Sequence, residues 1–271
     1  MSTFSAEWLS LREPVDARSR SEELVLELRA RLPPHGLRAL DLGSGTGANI
    51  RYLAPRLNDE QQWLALDNDS ALIEQQAASF DEMRRVYKVS SQQFELATDL
   101  DSLPIVGCHL VTASALLDLV SASWLESLAI LCAHSRAAVM FALNYDGRVQ
   151  CLPRDSEDEW LMGLVNRHQH GDKGFGPALG PQAARYACDL FARLGFEVRT
   201  AASDWLIEPD EQPLQRELIA GWVEAAREVS PAEAGRIEQW GVRRIAHLSA
   251  GSSRIRVGHQ DFVAWPTTRD V

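Results

Sequence analysis

The spacing of apolar positions changes repeatedly along this chain, and the changes outline alternating helices and strands. After a polar leader, Met1 to Arg20, the run Ser19-Arg20-Ser21-Glu22 has capping-box spacing; Leu24, Leu26, Leu28 and Leu32 follow, up to a stop at Pro33-Pro34. The short apolar run Leu37 to Leu42 predicts a first strand. Ile50, Leu53 and Leu57 at helical spacing predict a helix that Pro55 ends or kinks. Trp63 to Leu66 reads as a second strand, and Asp69 can cap the helix that carries Leu72, Ile73 and Phe80. Phe94 to Thr98 and His109 to Ala113 are the next predicted strands. Ser123-Trp124-Leu125-Glu126 has the spacing to open a helix, and Ala137 to Leu143 is apolar enough for a strand covered on both faces.

The second half changes character. Residues 145–180 form a polar, glycine-rich segment with a short helix expected around Trp160 to Asn166, too long for a plain connection and therefore expected to be a lid or substrate-binding insert. A helix over Pro181 to Leu194, stopped by Gly195, and a strand over Phe196 to Thr200 follow. Within a helical insertion over 211–248, helices are predicted for Leu214 to Glu228 and Pro231 to His247, the second opened by Ser230-Pro231-Ala232-Glu233. Arg254 to Ala264 closes the chain as a strand. Strand and helix in alternation imply right-handed crossovers. The expected fold is α/β, one Rossmann-like doubly wound domain over 1–271 with a mostly parallel seven-stranded sheet, helices on both faces, an N-terminal arm and helix over 1–35, and a helical or lid insertion.

Composition narrows the partners. The 271 residues carry Lys+Arg 27 against Asp+Glu 38, a formal charge of -11 that repels a phosphate backbone, so no nucleic-acid partner is expected. The four cysteines, Cys108, Cys132, Cys151 and Cys188, lie far apart beside apolar stretches, and reduced buried thiols are the simplest reading. Met1 to Arg20 has no apolar core of a signal peptide, and no apolar run approaches the roughly 20 residues that cross a bilayer. A cytoplasmic protein without a membrane partner is expected.

The candidate chemistry lies after the first strand, in Asp41-Leu42-Gly43-Ser44-Gly45-Thr46-Gly47. Glycines there let a ligand approach the backbone, and amides at a helix start favour an anionic group. Asp67 ends the second strand, where a carboxylate can accept from both hydroxyls of an adenosine ribose. Gly43-x-Gly45-x-x-Ala48 also fits the loose dinucleotide fingerprint. Asp41 discriminates: it would face the pyrophosphate of NAD, but it suits the ammonium and sulfonium end of S-adenosylmethionine. Arg20, reaching from the arm, is a candidate partner for that cofactor's carboxylate.

An acidic residue followed by Gly-x-Gly-x-Gly resembles the first motif of the class I S-adenosylmethionine-dependent methyltransferase family. The resemblance implies that Gly43, Ser44, Gly45 and Gly47 line the methionine part, that Asp67 holds the ribose, and that Asn68 borders the adenine. It implies an adenine-edge role for Thr98, Asp99 and Leu100, and places Ser114 in a segment, Ser114 to Asp118, facing both cofactor and substrate. That segment departs from the Asn/Asp-Pro-Pro-aromatic motif of amino-methylating DNA enzymes. His109 stands where the family often has an acidic residue.

The implied activity is methyl transfer to a small-molecule acceptor by in-line displacement, in which the protein aligns and desolvates the reactants. Asp118, Tyr145, His168 and His170 are candidates for a base, and Lys173 and Phe175, in the segment His168 to Pro177, are candidates for substrate contact. No metal site is expected, because two alternating histidines lack a third clustered ligand. Two other readings remain: an NAD(P)-dependent oxidoreductase, and a non-catalytic protein that binds S-adenosylmethionine for regulation.

Overall fold

A computed structural model describes residues 5–81 and 83–267. In chain order the helices are α1 (Ala6–Ser19), α2 (Glu22–Arg31), α3 (Ala48–Leu53), α4 (Ser70–Ser79), α5 (Ala122–Ser135), α6 (Asp158–Gln169), α7 (Ala183–Arg193), α8 (Gln212–Val229) and α9 (Ala234–Ser249). The strands are β1 (Leu37–Leu42), β2 (Gln61–Asp67), β3 (Lys88–Gln93), β4 (Leu110–Ser114), β5 (Ala138–Leu152), β6 (Phe196–Ala202), β7 (Trp205–Ile207) and β8 (Arg254–Pro266).

They form one sheet in the order β3-β2-β1-β4-β5-β8-β6, with the short β7 pairing the far end of β8. From β3 to β5 every pair is parallel, and β8 is antiparallel to β5, β6 and β7. This is the expected doubly wound, mostly parallel α/β sheet. The added strand is β7, too short to leave a periodicity of its own. Two apolar clusters cover the sheet: one joins Leu40, Val111 and Phe141 to α5 and α7, the other joins Leu37, Trp63 and Met140 to α2 and α3. Because β1 is covered on both sides, Leu37, Ala39, Leu40 and Leu42 are all buried, as an interior parallel strand requires. A third cluster gathers Val15, Leu161, Trp222 and Trp240 from α1, α6, α8 and α9.

Several local expectations shift. The polar leader contains α1, capped by Ser5, whose Oγ accepts from the Trp8 amide at 3.1 Å. Its Trp8, Leu11 and Val15 pack on the third cluster, a helical spacing that Pro14 obscures in the sequence. Ser21 rather than Ser19 caps α2, and Ser121 rather than Ser123 caps α5. The third strand is Lys88–Gln93 rather than Phe94 to Thr98. It is an edge strand most of whose polar residues face solvent, so no apolar run marks it. Residues 145–152 continue β5 beyond a bulge at Leu143 (φ 55°), where the Asn144 side chain donates to Phe141 O and Gln260 O, both at 2.8 Å.

Candidate functional site

The site lies at the carboxyl edge of the parallel strands, where β1 turns into α3. Gly43, Gly45 and Gly47 take φ values of 61°, 54° and 84°, a left-handed region in which a side chain strains the backbone. Space is also short: a Cβ on Gly47 would lie 2.5 Å from the Phe80 ring, and one on Gly45 would lie 3.1 Å from Leu9 Cδ1. The loop is held open from beneath. The Ser44 amide donates to Leu66 O at 3.0 Å, and Gln76 Nε2 donates to Ser44 Oγ at 2.6 Å. Asp67, at the end of β2, accepts from the amides of Gly45 (2.7 Å) and Asp69 (3.0 Å), so one carboxylate ties the glycine loop to the start of α4.

Below the loop, polar groups are buried together. Asn49 Nδ2 donates to Asp41 Oδ1 at 2.5 Å and to Thr112 Oγ1 at 3.2 Å, while Asn49 Oδ1 accepts from Arg20 Nη1 at 2.6 Å. Arg20 also lies over the Tyr52 ring, 4.2 Å from its centroid. Asp41 Oδ2 and Arg20 Nε have no hydrogen-bond partner. Burial pushes the Asp41 carboxyl up to about 7, against the opposing pull of Asn49 and Arg20, and burial lowers the Arg20 guanidinium. Asp261 on β8 locks the surroundings by accepting from the amides of Ser21 (2.9 Å) and Leu143 (2.8 Å). Arg20, Asn49, Tyr52 and Ser114 border one small cavity under α1.

A second cavity shares Ser114 with the first and opens over the glycine loop. Gly43, Gly45, Asp67 and Asn68 line one side with Leu72, Phe94, Glu95 and Leu96; Ala115, Leu116, Leu119, Lys173 and Phe175 line the other, under Leu9 and Arg12 of α1. Thr98, Asp99 and Leu100 are outside it. Because β3 ends at Gln93, the loop behind the strand starts earlier, and Phe94 to Leu96 occupy the rim that the later segment was expected to fill. Asp99 is solvent-exposed and accepts from Thr98 Oγ1 at 2.9 Å, while Leu100 packs into the core. Sequence reasoning also missed Leu9, Arg12 and Glu95. Helical spacing across the leader would have found the first two, and recognition of a polar edge strand would have found the third.

The base candidates divide. Asp118 is buried, its Oδ1 has no partner, and burial pushes its carboxyl up to about 6. Tyr145 Oη donates to Asn166 Oδ1 at 2.7 Å, and burial pushes the phenol up. His168 Nε2 lies 2.9 Å from Glu228 Oε2, and His170 Nδ1 lies 3.3 Å from Ala178 O; none of the four candidates lines the cavity, and Asp118 stands out by its unpartnered Oδ1 next to Leu117 and Leu119 in sequence. Burial raises Cys151 to about 12 and Cys188 to about 11, far from thiolate chemistry. Among the described residues, no three His, Cys, Asp or Glu side chains gather to hold a metal, and no helix is long and apolar enough to cross a membrane.

No protein-family model matches the chain, and no curated protein matches its sequence. Solved structures do. The cyclopropane synthase MmaA2 from Mycobacterium tuberculosis superposes with a TM-score of 0.52 at 13% identity, covering 96% of this chain and 94% of that one. The mycolic acid cyclopropane synthase CmaA1, complexed with SAH and CTAB, gives 0.50 at 11% identity, covering 90% of this chain and 82% of that one. At such identities the likeness speaks for the fold: this chain has the class I S-adenosylmethionine-dependent methyltransferase fold.

Proposed function

We propose that the crevice binds S-adenosylmethionine and that the chain transfers its methyl group to a small-molecule acceptor. The observation that carries this reading is the unpartnered Oδ2 of Asp41, a buried carboxylate oxygen held beneath three left-handed glycines with Asp67 alongside. A carboxylate there repels a pyrophosphate and accepts an ammonium, which favours an amino-acid-bearing nucleoside over NAD. Arg20, with its free Nε, is the complementary partner for that ligand's carboxylate.

In this reading Gly43, Ser44, Gly45 and Gly47 border the amino-acid part. Asp67 takes the ribose hydroxyls, Asn68, Phe94 and Leu96 border the adenine, and Ser114 lies between the two cavities. The bound cofactor supplies an electrophilic methyl on a sulfonium. The chain's own residues align the acceptor against it and exclude water: Leu9, Leu116, Leu119 and Phe175 supply apolar walls, and Lys173 and Phe175 bring the segment after α6 to the acceptor side. Where the acceptor must lose a proton, Asp118 is the group to take it, at Oδ1. Tyr145 stays protonated and positions Asn166.

Isothermal titration with S-adenosylhomocysteine, NAD and NADP tests the site. Binding of the first alone is expected, with its loss in Gly45→Val, whose side chain would enter the ligand's path from a left-handed backbone. Binding of NAD instead would sink the reading. A radiolabelled methyl-transfer screen of small metabolites then separates an enzyme from a regulatory binder.

A further inference from the structure

One wall of the crevice carries an unbalanced charge. Lys173 lines the cavity beside Phe175, and its Nζ contacts His168 Nδ1 at 3.3 Å; among the described residues it makes no ion pair. Glu228 on α8 reaches the same imidazole, with Oε2 2.9 Å from Nε2. Glu228 only accepts, so His168 donates to it from Nε2, and Lys173 Nζ, at 3.3 Å from Nδ1 and 3.5 Å from Nε2, lies against the ring. The imidazole thus stands between the ammonium and the carboxylate and orients the lysine without an ion pair, and the ammonium keeps N–H donors.

The neighbouring cation does not share this condition. Arg12, on the same cavity, donates from Nε to Asp16 Oδ2 at 2.9 Å and is neutralised there. The rest of that wall is apolar: Leu116, Leu119 and Phe175, with Phe175 edge-on to Trp124 at 5.4 Å between centroids. The segment bearing Lys173 is held in place as well. Asp172 Oδ1 accepts from the amides of Gly174 (2.7 Å) and Gly176 (3.0 Å), and Ala178 bridges Ser121 at the cap of α5.

A single ammonium without an ion pair, at the edge of an apolar wall, matches one negative charge on an apolar body. From this juxtaposition we infer that the methyl acceptor is an apolar-bodied monocarboxylate whose carboxylate seats on Lys173 Nζ while its body lies against Phe175, Leu119 and Leu116. The inference rests on the methyltransferase reading of the crevice and adds the acceptor's class. A phosphate dianion would leave a charge uncompensated beside apolar surface, so the carboxylate is preferred. His168 is then a positioning residue, and Lys173 a specificity-determining one. Partial burial lowers the Lys173 ammonium, and a bound anion would restore it.

The test uses the full chain saturated with S-adenosylhomocysteine and three probes: 3-phenylpropionate, its uncharged amide, and phenyl phosphate. Titration calorimetry should show the acid bound at least about tenfold tighter than the amide, the size of one charge-assisted hydrogen bond. Lys173→Met should erase that preference, and Lys173→Arg should keep most of it. Equal affinity for acid and amide, no detectable binding of the acid, tighter binding of phenyl phosphate, or an unchanged preference in Lys173→Met would each overturn the inference. The affinity for S-adenosylhomocysteine, measured on the same samples, keeps the two readings apart: if that ligand binds and the acid preference is missing, only the acceptor class fails.

Discussion

Two buried arginines of this molecule are treated differently. Arg244, on α9, is fully buried and donates to Pro153 O at 2.6 Å and to Asp158 Oδ2 at 3.0 Å. Around it Arg243 pairs with Asp155 and Glu157, Arg236 pairs with Glu157, and Trp240 Nε1 donates to Asp158 at 2.9 Å. Arg20, near the glycine loop, makes no ion pair among the described residues, although Asp41 is one side chain away through Asn49. Charges in the first cluster are matched within the protein and fasten α9 to the start of α6. Nε is unpartnered in both arginines, but Arg20 and Asp41 are held apart by an amide and make no ion pair among the described residues, so the folded chain keeps interaction energy available for a ligand.

The contrast can be broken most forcefully at the clasp. Arg244→Met removes the partner of Asp158 from a buried position and should cost about 3 kcal/mol in urea unfolding. Its affinity for S-adenosylhomocysteine, measured on the fraction that folds, should match that of the unaltered chain. A matching loss of affinity would mean that the clasp and the crevice act as one unit.

At the crevice, Asp67→Ala should weaken S-adenosylhomocysteine binding by about 1 to 3 kcal/mol in titration calorimetry, because a charge-assisted acceptor is lost. Part of this loss comes through the Gly45 amide, which no longer has its anchor. Unchanged affinity would contradict the placement of the ribose.

The smallest effect per step is one of pH, read as a slope. Burial raises the Asp41 carboxyl from its ordinary 3.8 to about 7, so between these values the folded chain holds a proton that the unfolded chain has released. Stability from this group therefore falls as pH rises through that window, on the order of 1 kcal/mol per unit, and levels off above it. Asp41→Asn should flatten the slope between about pH 5 and pH 7 in unfolding titrations. An identical slope in the variant would assign the pH dependence elsewhere.

Much of this was written locally. Short apolar runs located β1, β2, β4 and the first half of β5, because strands buried on both faces must be apolar wherever they occur. The glycine spacing and the acid ending β2 located the loop and Asp67, since positive φ at three positions leaves few residue choices. Residues whose role depends on distant neighbours were less legible. Edge strand β3 carries no apolar run, so the rim of the crevice was assigned to Thr98, Asp99 and Leu100 instead of Phe94, Glu95 and Leu96. Pro14 hid α1, and with it Leu9 and Arg12 above the glycines.

The sequence by itself determined the alternation, the turn chemistry at Gly43, Gly45 and Gly47, and the acids that flank it, because backbone sterics and burial act over a few residues. Only the tertiary structure decided that Asp41 and Arg20 are buried with idle atoms, and that Lys173 meets an imidazole rather than a carboxylate. Whether a charge is answered depends on groups brought together from far along the chain, and dielectric and distance exist only once the chain has folded.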